Sequence, residues 1–572
     1  MNAGNAFEIN TTPESEIDLT SLHPELLNPT EIHPDWGPSV RSGTMAQKLP
    51  WRLLLILWVT AALLSCIGLG DLPLRDFDEA TVARVALEFH QGKGEAWLLP
   101  TLWNEPYLNK APGLHLIIAT LIGLTTPQGL PSEWTIRIAP ALLSSLIVPL
   151  GGLLQWQLRP GDRDSCLATS AILLTLLPIA RHGRLAMLDG TQLTVMAVLW
   201  IGLLRLHRAH HPAGIGLLTG LSASGMLLLK APLLLPTAAA GLAAVALGRE
   251  WRHWRWISAA PTLLIGILPG IAWHLWHAWQ RGTSALWLWG GDGAGRVLLD
   301  AGEGSDLGWR VPLIELLEGG WPWLLLFPIA LLGAWCVRQS RWGYWSLGTL
   351  AVLAAAILPL RTQLPWYSHP LWLPFALLCG PLLAWMVNRM PWPSGPVPMR
   401  RYLALIPALW AGLGVLLLII GLASLTPAAA ALSDYRSPAL TLGASWCIGG
   451  SLLMHDMQTR RRLGALSLVL GNVAALALVF HSPLWLWELN ESWAVRPVAE
   501  ITASKDGSPI RLKGFNERPS LNWYAQQRIR REQSDDGKNL RLSDQPQPGC
   551  RLLGKAGDWT LSDCDKMIEK GE

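Results

Sequence analysis

The sequence predicts a mainly α-helical protein, a polytopic membrane bundle that carries a small extracytoplasmic α/β domain at its C-terminal end. Three observations lead to this fold class. Of the 572 residues, 51% are hydrophobic and only 15% are charged, whereas a soluble domain carries about 25% charge. The apolar residues lie in long runs separated by short Arg-containing breaks. A polar stretch follows the last of these runs.

Apolar segments long enough to suggest membrane helices recur along the whole chain. They are residues 51–70, 114–124, 135–158, 167–180, 188–204, 215–229, 233–247, 257–276, 321–337, 345–360, 370–386, 403–425, 440–454 and 463–480. Segment 114–124 is well under the roughly 17 residues that a spanning helix requires. We therefore expect it to lie on the membrane, which leaves about thirteen spans.

The positive residues predict the topology. With thirteen spans, the Arg/Lys bias places every strongly basic loop on one side, which is the cytoplasmic side. The N-terminus is then inside and the C-terminal region outside. Nucleic acid is not expected as a partner, because the net charge is only +4 and no basic block exists.

This topology divides the chain into three parts. Residues 1–49 are polar and are expected to form a disordered cytoplasmic segment. Residues 50–481 form the transmembrane domain, in which 71–134 is the first outer loop with juxtamembrane helices. Residues 482–572 form the extracytoplasmic domain, with a strand-like piece at 511–515 and a helical one at 521–528.

Two cysteines stand apart from the five in apolar runs. Cys550 and Cys564 lie in the polar tail, without further His or Cys spaced for a metal site. If the tail is outside the cytoplasm, a disulfide between them is as plausible as two free thiols.

The first outer loop carries a concentrated group of charges. It reads Arg75-Asp76-Phe77-Asp78-Glu79 and continues with Ala, Val and Leu at helical spacing as far as Phe89. This pattern predicts an amphipathic surface helix. Its first-turn carboxylates are explained equally well by helix capping and by a function.

The rest of this loop makes the pattern specific. It continues as Trp97-Leu98-Leu99-Pro100 and then Tyr107-Leu108-Asn109-Lys110-Ala111-Pro112. The combination resembles the bacterial aminoarabinose transferases and protein O-mannosyltransferases, which are type C glycosyltransferases with polyprenyl-phosphate donors. Weaker similarities extend the resemblance over about residues 50–530, at 181–189, 227–232, 320–323, 364–374 and 518–524.

The resemblance implies a transferase in which an acceptor attacks the anomeric carbon of a sugar held on a lipid phosphate. A carboxylate must take the proton of the acceptor, and the catalytic candidates are Asp78 as the base, Glu79 beside it, and Asp189 as an orienting carboxylate. Fixed positive charge must meet the phosphate. The candidates for donor phosphate binding are Lys110, Arg184, Arg137 and Lys230.

Further residues are candidates for substrate binding, namely Arg75, Tyr107, Arg361 and Tyr367. Lys110 and Arg137 could instead be residues that snorkel to the headgroups, and an interfacial anchor explains Arg361 and Tyr367 equally well. An ordinary interfacial polar role is expected for the histidines of the outer side, His182, His274, His277 and His369.

The cofactor prediction follows from one departure. In the aminoarabinose branch a Glu that helps to hold a metal precedes the Lys of this loop, and here that position is Asn109. No cofactor is therefore expected with certainty, although a divalent metal is possible. The expected partners are a polyprenyl-phosphate-linked sugar donor, membrane lipid, and an acceptor that is a lipid, a glycan or a protein.

Other functions fit the composition. A polytopic transporter or flippase for a lipid-linked or anionic substrate would place paired charges within helices near the bilayer midplane. An O-antigen ligase or polymerase would lack the Asp-Glu loop after the first span, and a scaffold would need no carboxylate. The transferase hypothesis places the chain in the cell's inner membrane.

Overall fold

The computed structural model of the protein describes residues 48–92, 98–206, 210–291, 295, 308–361, 363–388, 397–489, 494–503, 509–532 and 540–567. Most of the N-terminal segment that the sequence predicts to be disordered lies outside these residues. Trp97 of the first outer loop and Arg208 and Arg389 of the basic loops also lie outside them.

The described chain is mainly helical. Its helices are α1 (Trp51–Cys66), α2 (Asp78–Gln91), α3 (Gly113–Thr125), α4 (Glu133–Ser145), α5 (Ile147–Leu158), α6 (Arg163–Thr175), α7 (Leu177–Gly183), α8 (Leu188–Leu206), α9 (Pro212–Lys230), α10 (Leu234–Leu247), α11 (Trp256–Arg281), α12 (Trp287–Trp289), α13 (Arg310–Gly319), α14 (Phe327–Cys336), α15 (Arg341–Ile357), α16 (His369–Asn388), α17 (Val397–Ala423), α18 (Arg436–Leu453), α19 (Gln458–Phe480), α20 (Val495–Ala503) and α21 (Pro519–Ala525).

The number of spans differs from the prediction. Among the described residues, six helical segments are long and apolar enough to cross a membrane, or eight if two bent helix pairs each count as one span. The thirteen expected spans are therefore not confirmed. Helix α1 ends at Cys66 and has only 16 residues, and α6 and α7 are bent by 60°. Helix α3, with 13 residues, is short as expected.

The bundle's helix ends follow from local sequence signals. Ser132 begins α4 by accepting a hydrogen bond from the Thr135 N–H at 3.2 Å, and Asp162 caps α6 in the same way through the Ser165 N–H at 3.0 Å. Pro178 lies at the start of α7, where a proline is favoured. The break between α6 and α7 therefore falls just before the segment that carries Arg184.

A buried ionic cluster gathers several helix ends on one face of the bundle. The Glu250 carboxylate, only 1% exposed, accepts from the Arg341 Nε at 2.7 Å and from the Tyr344 hydroxyl at 2.7 Å. Arg341 also donates to the Leu204 carbonyl at 3.0 Å. Three loops that the sequence predicts to be cytoplasmic therefore meet on this face.

The first outer loop forms a compact layer of its own. The predicted helix after the acidic residues is confirmed as α2, which packs Ala83 and Leu87 against Ile118 of α3 and Ile136 of α4. Strands β1 (Thr101–Leu102) and β2 (Glu105–Pro106) then form a hairpin. The Glu88 carboxylate, near the end of α2, accepts hydrogen bonds from the backbone N–H groups of the hairpin's turn residues, Trp103 at 2.7 Å and Asn104 at 3.2 Å.

The polar C-terminal region contains a mixed sheet. Its strands are β3 (Ile510–Leu512), β4 (Arg530–Arg531), β5 (Leu540–Ser543), β6 (Cys550–Ala556) and β7 (Trp559–Met567). Strand β3 is parallel to β4 and β5, while β7 is antiparallel to β5 and β6. A disulfide joins Cys550 to Cys564 across the β6–β7 hairpin. The predicted strand and helix of this region appear as β3 and α21.

We expect opposite faces of the bundle to lie on opposite sides of the membrane. With Asn104→Cys in the hairpin and Arg163→Cys at the start of α6, both exposed, an impermeant maleimide should label only Asn104→Cys in sealed cells, because the basic loops stay inside. Labelling of Arg163→Cys should require permeabilisation. The unsubstituted chain gives the background from the native thiols. The reverse pattern would overturn the orientation.

Candidate functional site

The acidic turn at the start of α2 has an unusual backbone. Phe77 has φ 57° and ψ −71°, and the Asp78 N–H donates to the Asp76 carbonyl at 2.8 Å. These values define a γ-turn of the rare type with positive φ at its central residue. Such a conformation costs about 1–3 kcal/mol and persists only where its surroundings impose it. Asp78, half-buried, is the residue that this turn places at the head of α2.

Glu79 and Arg137 form a fully buried ion pair. The Glu79 carboxylate accepts from Arg137 Nε at 2.8 Å and Nη2 at 2.7 Å, and both side chains are 0% exposed. It also accepts from the Ala186 N–H at 2.9 Å and the Arg75 N–H at 3.2 Å. The pair therefore fastens α2 to α4 and to the segment before α8.

Arg137 uses its remaining donors on the loop after α1. Its Nη1 donates to the carbonyls of Leu69 and Leu72, and its Nη2 to that of Pro73. A guanidinium has five N–H donors, and all five are occupied. A phosphate contact of Arg137, as predicted from the sequence, would have to replace one of these bonds. The Glu79 carboxylate is likewise enclosed by four hydrogen bonds.

A second ion pair lies where three helical elements meet. Asp189, in the first turn of α8, accepts from the Lys230 ammonium at 2.8 Å. Lys230 ends α9, and its Nζ lies 4.5 Å from the ring centroid of Tyr367, a distance that fits a cation–π contact. The side chains of Lys230 and Asp189 are 17% and 9% exposed. The structure thus brings together three of the residues that the sequence singled out.

The loop that carries Lys110 packs against the end of α9. Ala111 belongs to one apolar cluster with Leu227 and Ala231. At Gly113 the backbone passes so close to α9 that a Cβ would lie 2.6 Å from the Leu228 carbonyl oxygen. Close approach of this kind requires glycine. Lys110 is consequently held next to the helix end that bears Lys230.

The acidic turn lies next to the segment that leads to Asp189. Ala80 and Ala83 of α2 share a buried cluster with Ala186 and Leu188, and Asp189 directly follows Leu188. The Ala186 N–H also donates to Glu79, the neighbour of Asp78. The segment that carries Asp78 therefore packs against the segment before Asp189, Asp189 contacts Lys230, and the Lys230 end of α9 packs against the segment that carries Lys110.

Other predicted residues have different surroundings. Tyr107 is buried with Val85, Phe89 and Ala119, and its ring meets that of His115 edge-on at 5.9 Å. Tyr107 is therefore part of the loop's core, and its contact with substrate stays a prediction. Arg361 is exposed, and Arg75 is half-buried directly before the acidic turn.

Arg184 is directed to another set of elements. It is 0% exposed, donates to the Ile67 carbonyl at the end of α1, and has its Cζ 4.1 Å from the ring centroids of both Phe480 and Trp485. Its Nε and Nη1 have no hydrogen-bond partner among the described residues. Arg184 thus faces the ends of α1 and α19, whereas Lys230 faces α8 and Tyr367.

Sequence reasoning missed two polar contacts near the site. His182 Nδ1 and His369 Nε2 lie 2.9 Å apart, and both residues are buried. They were expected to have separate interfacial roles, and nothing in their spacing of 187 residues could reveal the pair. The second is the contact between the first outer loop and the C-terminal sheet region.

Among the described residues, that contact includes three polar groupings. The Asp76 carboxylate accepts from the Ser520 N–H at 2.9 Å, the Ser520 hydroxyl at 2.6 Å and Arg518 at 3.0 Å. The Tyr524 hydroxyl donates to Glu133 at 2.6 Å and accepts from the Leu74 N–H at 2.7 Å. Burial and this bond to Glu133 raise the pKa of Tyr524. The third grouping joins Glu105 to two arginines, Arg528 and Arg530, at 2.6 and 2.7 Å.

Comparison with known proteins finds solved structures of similar architecture. No protein-family model and no curated protein sequence matches the chain. The crystal structure of ArnT from Cupriavidus metallidurans bound to undecaprenyl phosphate matches with a TM-score of 0.65 and 15% identity, over 90% of this chain and 98% of that one. The chain has the ArnT fold. The apo state of the same ArnT matches with a TM-score of 0.65 and 16% identity, over 89% and 97%.

The ArnT fold confirms the fold that the motifs of the first outer loop predict. The archaeal oligosaccharyltransferase AglB from Archaeoglobus fulgidus, in complex with an inhibitory peptide and a dolichol-phosphate, gives a TM-score of 0.45 at 10% identity, over 84% of this chain and 64% of that one. Within the described ranges, no group of three or more His, Cys, Asp or Glu side chains could hold a metal ion.

The buried ion pair between Glu79 and Arg137 leads to a prediction about stability. Arg137→Met leaves the Glu79 charge buried without its partner, which should cost about 3–5 kcal/mol of stability. Thermal unfolding of the purified protein in detergent measures the effect as a lower midpoint. Arg205→Met, at an exposed arginine near the end of α8, is the matched control and should leave the midpoint unchanged. Equal midpoints for the two variants would contradict the structural role.

Proposed function

We propose that this protein is a membrane glycosyltransferase that moves a sugar from a polyprenyl-phosphate donor to an acceptor on the outer side of the membrane. The observation that carries the proposal is the Asp189–Lys230 ion pair over Tyr367, packed beside the Lys110 loop and the acidic turn. The fold supports it, since ArnT, with the same fold, was crystallised bound to undecaprenyl phosphate.

The reaction needs one proton acceptor and a stabilised leaving group. In the proposal, the Asp78 carboxylate takes the proton of the acceptor's hydroxyl or amine as that atom bonds to the anomeric carbon. The bond between the anomeric carbon and the phosphate oxygen breaks, and the electron pair leaves with the polyprenyl phosphate. No general acid is needed, because the departing phosphate is already a stable anion.

The cations are assigned by their surroundings. The segments that carry Lys110 and Lys230 pack against each other. Both side chains would meet the donor phosphate, where fixed positive charge lowers the barrier to sugar transfer. Asp189 holds the Lys230 ammonium at 2.8 Å and orients it, while Tyr367 and Arg361 would contact the sugar. Arg184, whose Nε and Nη1 lack partners within the described part of the chain, is a further phosphate ligand for a donor that enters between α1 and α19.

The remaining assignments follow the same proposal. The donor carries a hexose or a pentose, and the acceptor is a lipid, a glycan or a protein. The enzyme lies in the inner membrane, with the N-terminus in the cytoplasm and residues 482–572 forming the extracytoplasmic domain. The transmembrane domain, residues 50–481, supplies the site, including its first outer loop, residues 71–134.

The decisive experiment follows the sugar. Purified protein in detergent is given radiolabelled polyprenyl-phosphate hexoses and pentoses together with a membrane extract as the source of acceptors. Asp78→Asn should lower transfer by about 10²–10⁴-fold, because the amide cannot accept the proton. Asp456→Asn, at an exposed aspartate outside the site, is the control and should keep full activity. A flippase would move the lipid with its sugar–phosphate bond intact, which would overturn the proposal.

The cation assignment is tested through the product. Lys230→Met removes a charge from the phosphate site, so inhibition by free undecaprenyl phosphate should weaken by about tenfold or more, the equivalent of one charge-assisted hydrogen bond. Lys48→Met, outside the site at the start of the described chain, should leave the inhibition constant unchanged. An unaltered constant for Lys230→Met would remove Lys230 from the phosphate site.

A further inference from the structure

The acidic turn is fixed from two sides. On the side of the bundle, Glu79 is held by Arg137 and by the Ala186 N–H. On the other side, Asp76 is held by Ser520 and Arg518 of the C-terminal region. Phe77 and Asp78 lie between these two fixed carboxylates, and the Asp78 N–H closes the turn on the Asp76 carbonyl.

The turn would not keep its shape without such support. Phe77 has a positive φ of 57°, a conformation that a bulky side chain adopts only when its surroundings impose it. Phe77 itself is 43% exposed, so its own side chain does little of the holding. The contacts of Asp76 and Glu79, on either side of Phe77 and Asp78, therefore support the conformation.

Helix α21 contacts the loop at a second place next to the turn. The Tyr524 hydroxyl accepts from the Leu74 N–H at 2.7 Å, and Leu74 lies two residues before Asp76. One short helix thus binds the chain on both sides of Arg75. Glu105, which meets Arg528 and Arg530, lies in the hairpin and not in the turn.

We propose that the C-terminal region is a positioning element for the proposed base. By holding the Asp76 carboxylate, α21 keeps Phe77 in its γ-turn. This in turn keeps the Asp78 carboxylate in the position and orientation in which it can receive the proton of the acceptor. Asp76 is then a positioning residue and not a catalytic one. This inference rests on the proposed function only for the identity of Asp78 as the base.

The first test needs no activity. In the double variant Arg518→Ala/Ser520→Ala, two of the three donors to Asp76 are lost at a distance in sequence from the turn. Hydrogen–deuterium exchange of peptides covering residues 72–82 should become faster, because the Asp78 and Ala80 amides are bonded within the turn. Peptides of β3 and β5 should exchange as before, which shows that the sheet is still folded.

A variant of the hairpin controls for weaker docking in general. Glu105→Ala removes two contacts between the C-terminal region and the first outer loop, those to Arg528 and Arg530, and leaves the pair between Arg528 and Glu517 in place. It should leave exchange in residues 72–82 unchanged. Equal exchange of these peptides in Glu105→Ala and in Arg518→Ala/Ser520→Ala would overturn the proposal.

The second test uses transfer kinetics. Asp76→Ala should lower kcat by about 10- to 100-fold, the effect of a displaced catalytic group, with KM for the donor within about twofold. Phe77→Gly permits positive φ without strain, so the loss caused by Asp76→Ala should be smaller in the Phe77→Gly background than in the native one. Equal losses in both backgrounds, or an unchanged kcat, would overturn the positioning role.

The two proposals fail in different ways. If the native protein transfers no sugar from any polyprenyl-phosphate donor, the proposed function is wrong whatever the exchange experiment shows. If the native protein is active but Arg518→Ala/Ser520→Ala leaves the turn peptides protected, the positioning role is wrong and the function stands.

Discussion

The ion pair between Glu79 and Arg137 is the contact on which the outer layer depends. Two opposite charges, both fully buried, are tolerated there only because every polar atom of the guanidinium has a partner. Their hydrogen bonds tie together α2, α4, the loop after α1 and the segment before α8. Because Asp78 precedes Glu79 directly, the same bonds determine where the acidic turn stands relative to Asp189.

Much of the fold follows from patterns that are local in sequence. The apolar spacing after Glu79 is sufficient to predict α2, and the length of segment 114–124 is sufficient to predict a helix too short to cross the bilayer. The clustering of basic residues likewise anticipates the helix ends that meet around Glu250. Local patterns do not reveal where a helix bends, as at the bend of 60° between α6 and α7. They are likewise not enough to establish thirteen spans, which the described residues do not confirm.

The site was predictable by residue type but less so by role. Asp189, Lys230 and Tyr367 lie together, as the proposed reaction site requires. Arg137 and Tyr107 are predicted to meet the substrate, but in sequence an arginine at a helix end or a tyrosine in a loop looks the same whether it faces a ligand or a core. Only the pairing of Arg137 with Glu79 across 58 residues distinguishes the two, and such pairing is a property of the folded chain. Asp76 was overlooked as a contact of α21 for the same reason.

The brevity of α1 has a consequence for the lipid around it. Sixteen residues rise about 24 Å at 1.5 Å each, less than the hydrocarbon thickness of about 30 Å. Leu55, Ile56 and Leu63 are exposed on its surface, so acyl chains must cover them. A helix this short has no length to spare for tilt, so we expect that in a membrane the hydrophobic mismatch would thin the leaflets beside α1. The headgroup plane there would be drawn inward, toward the loop that leads to the acidic turn.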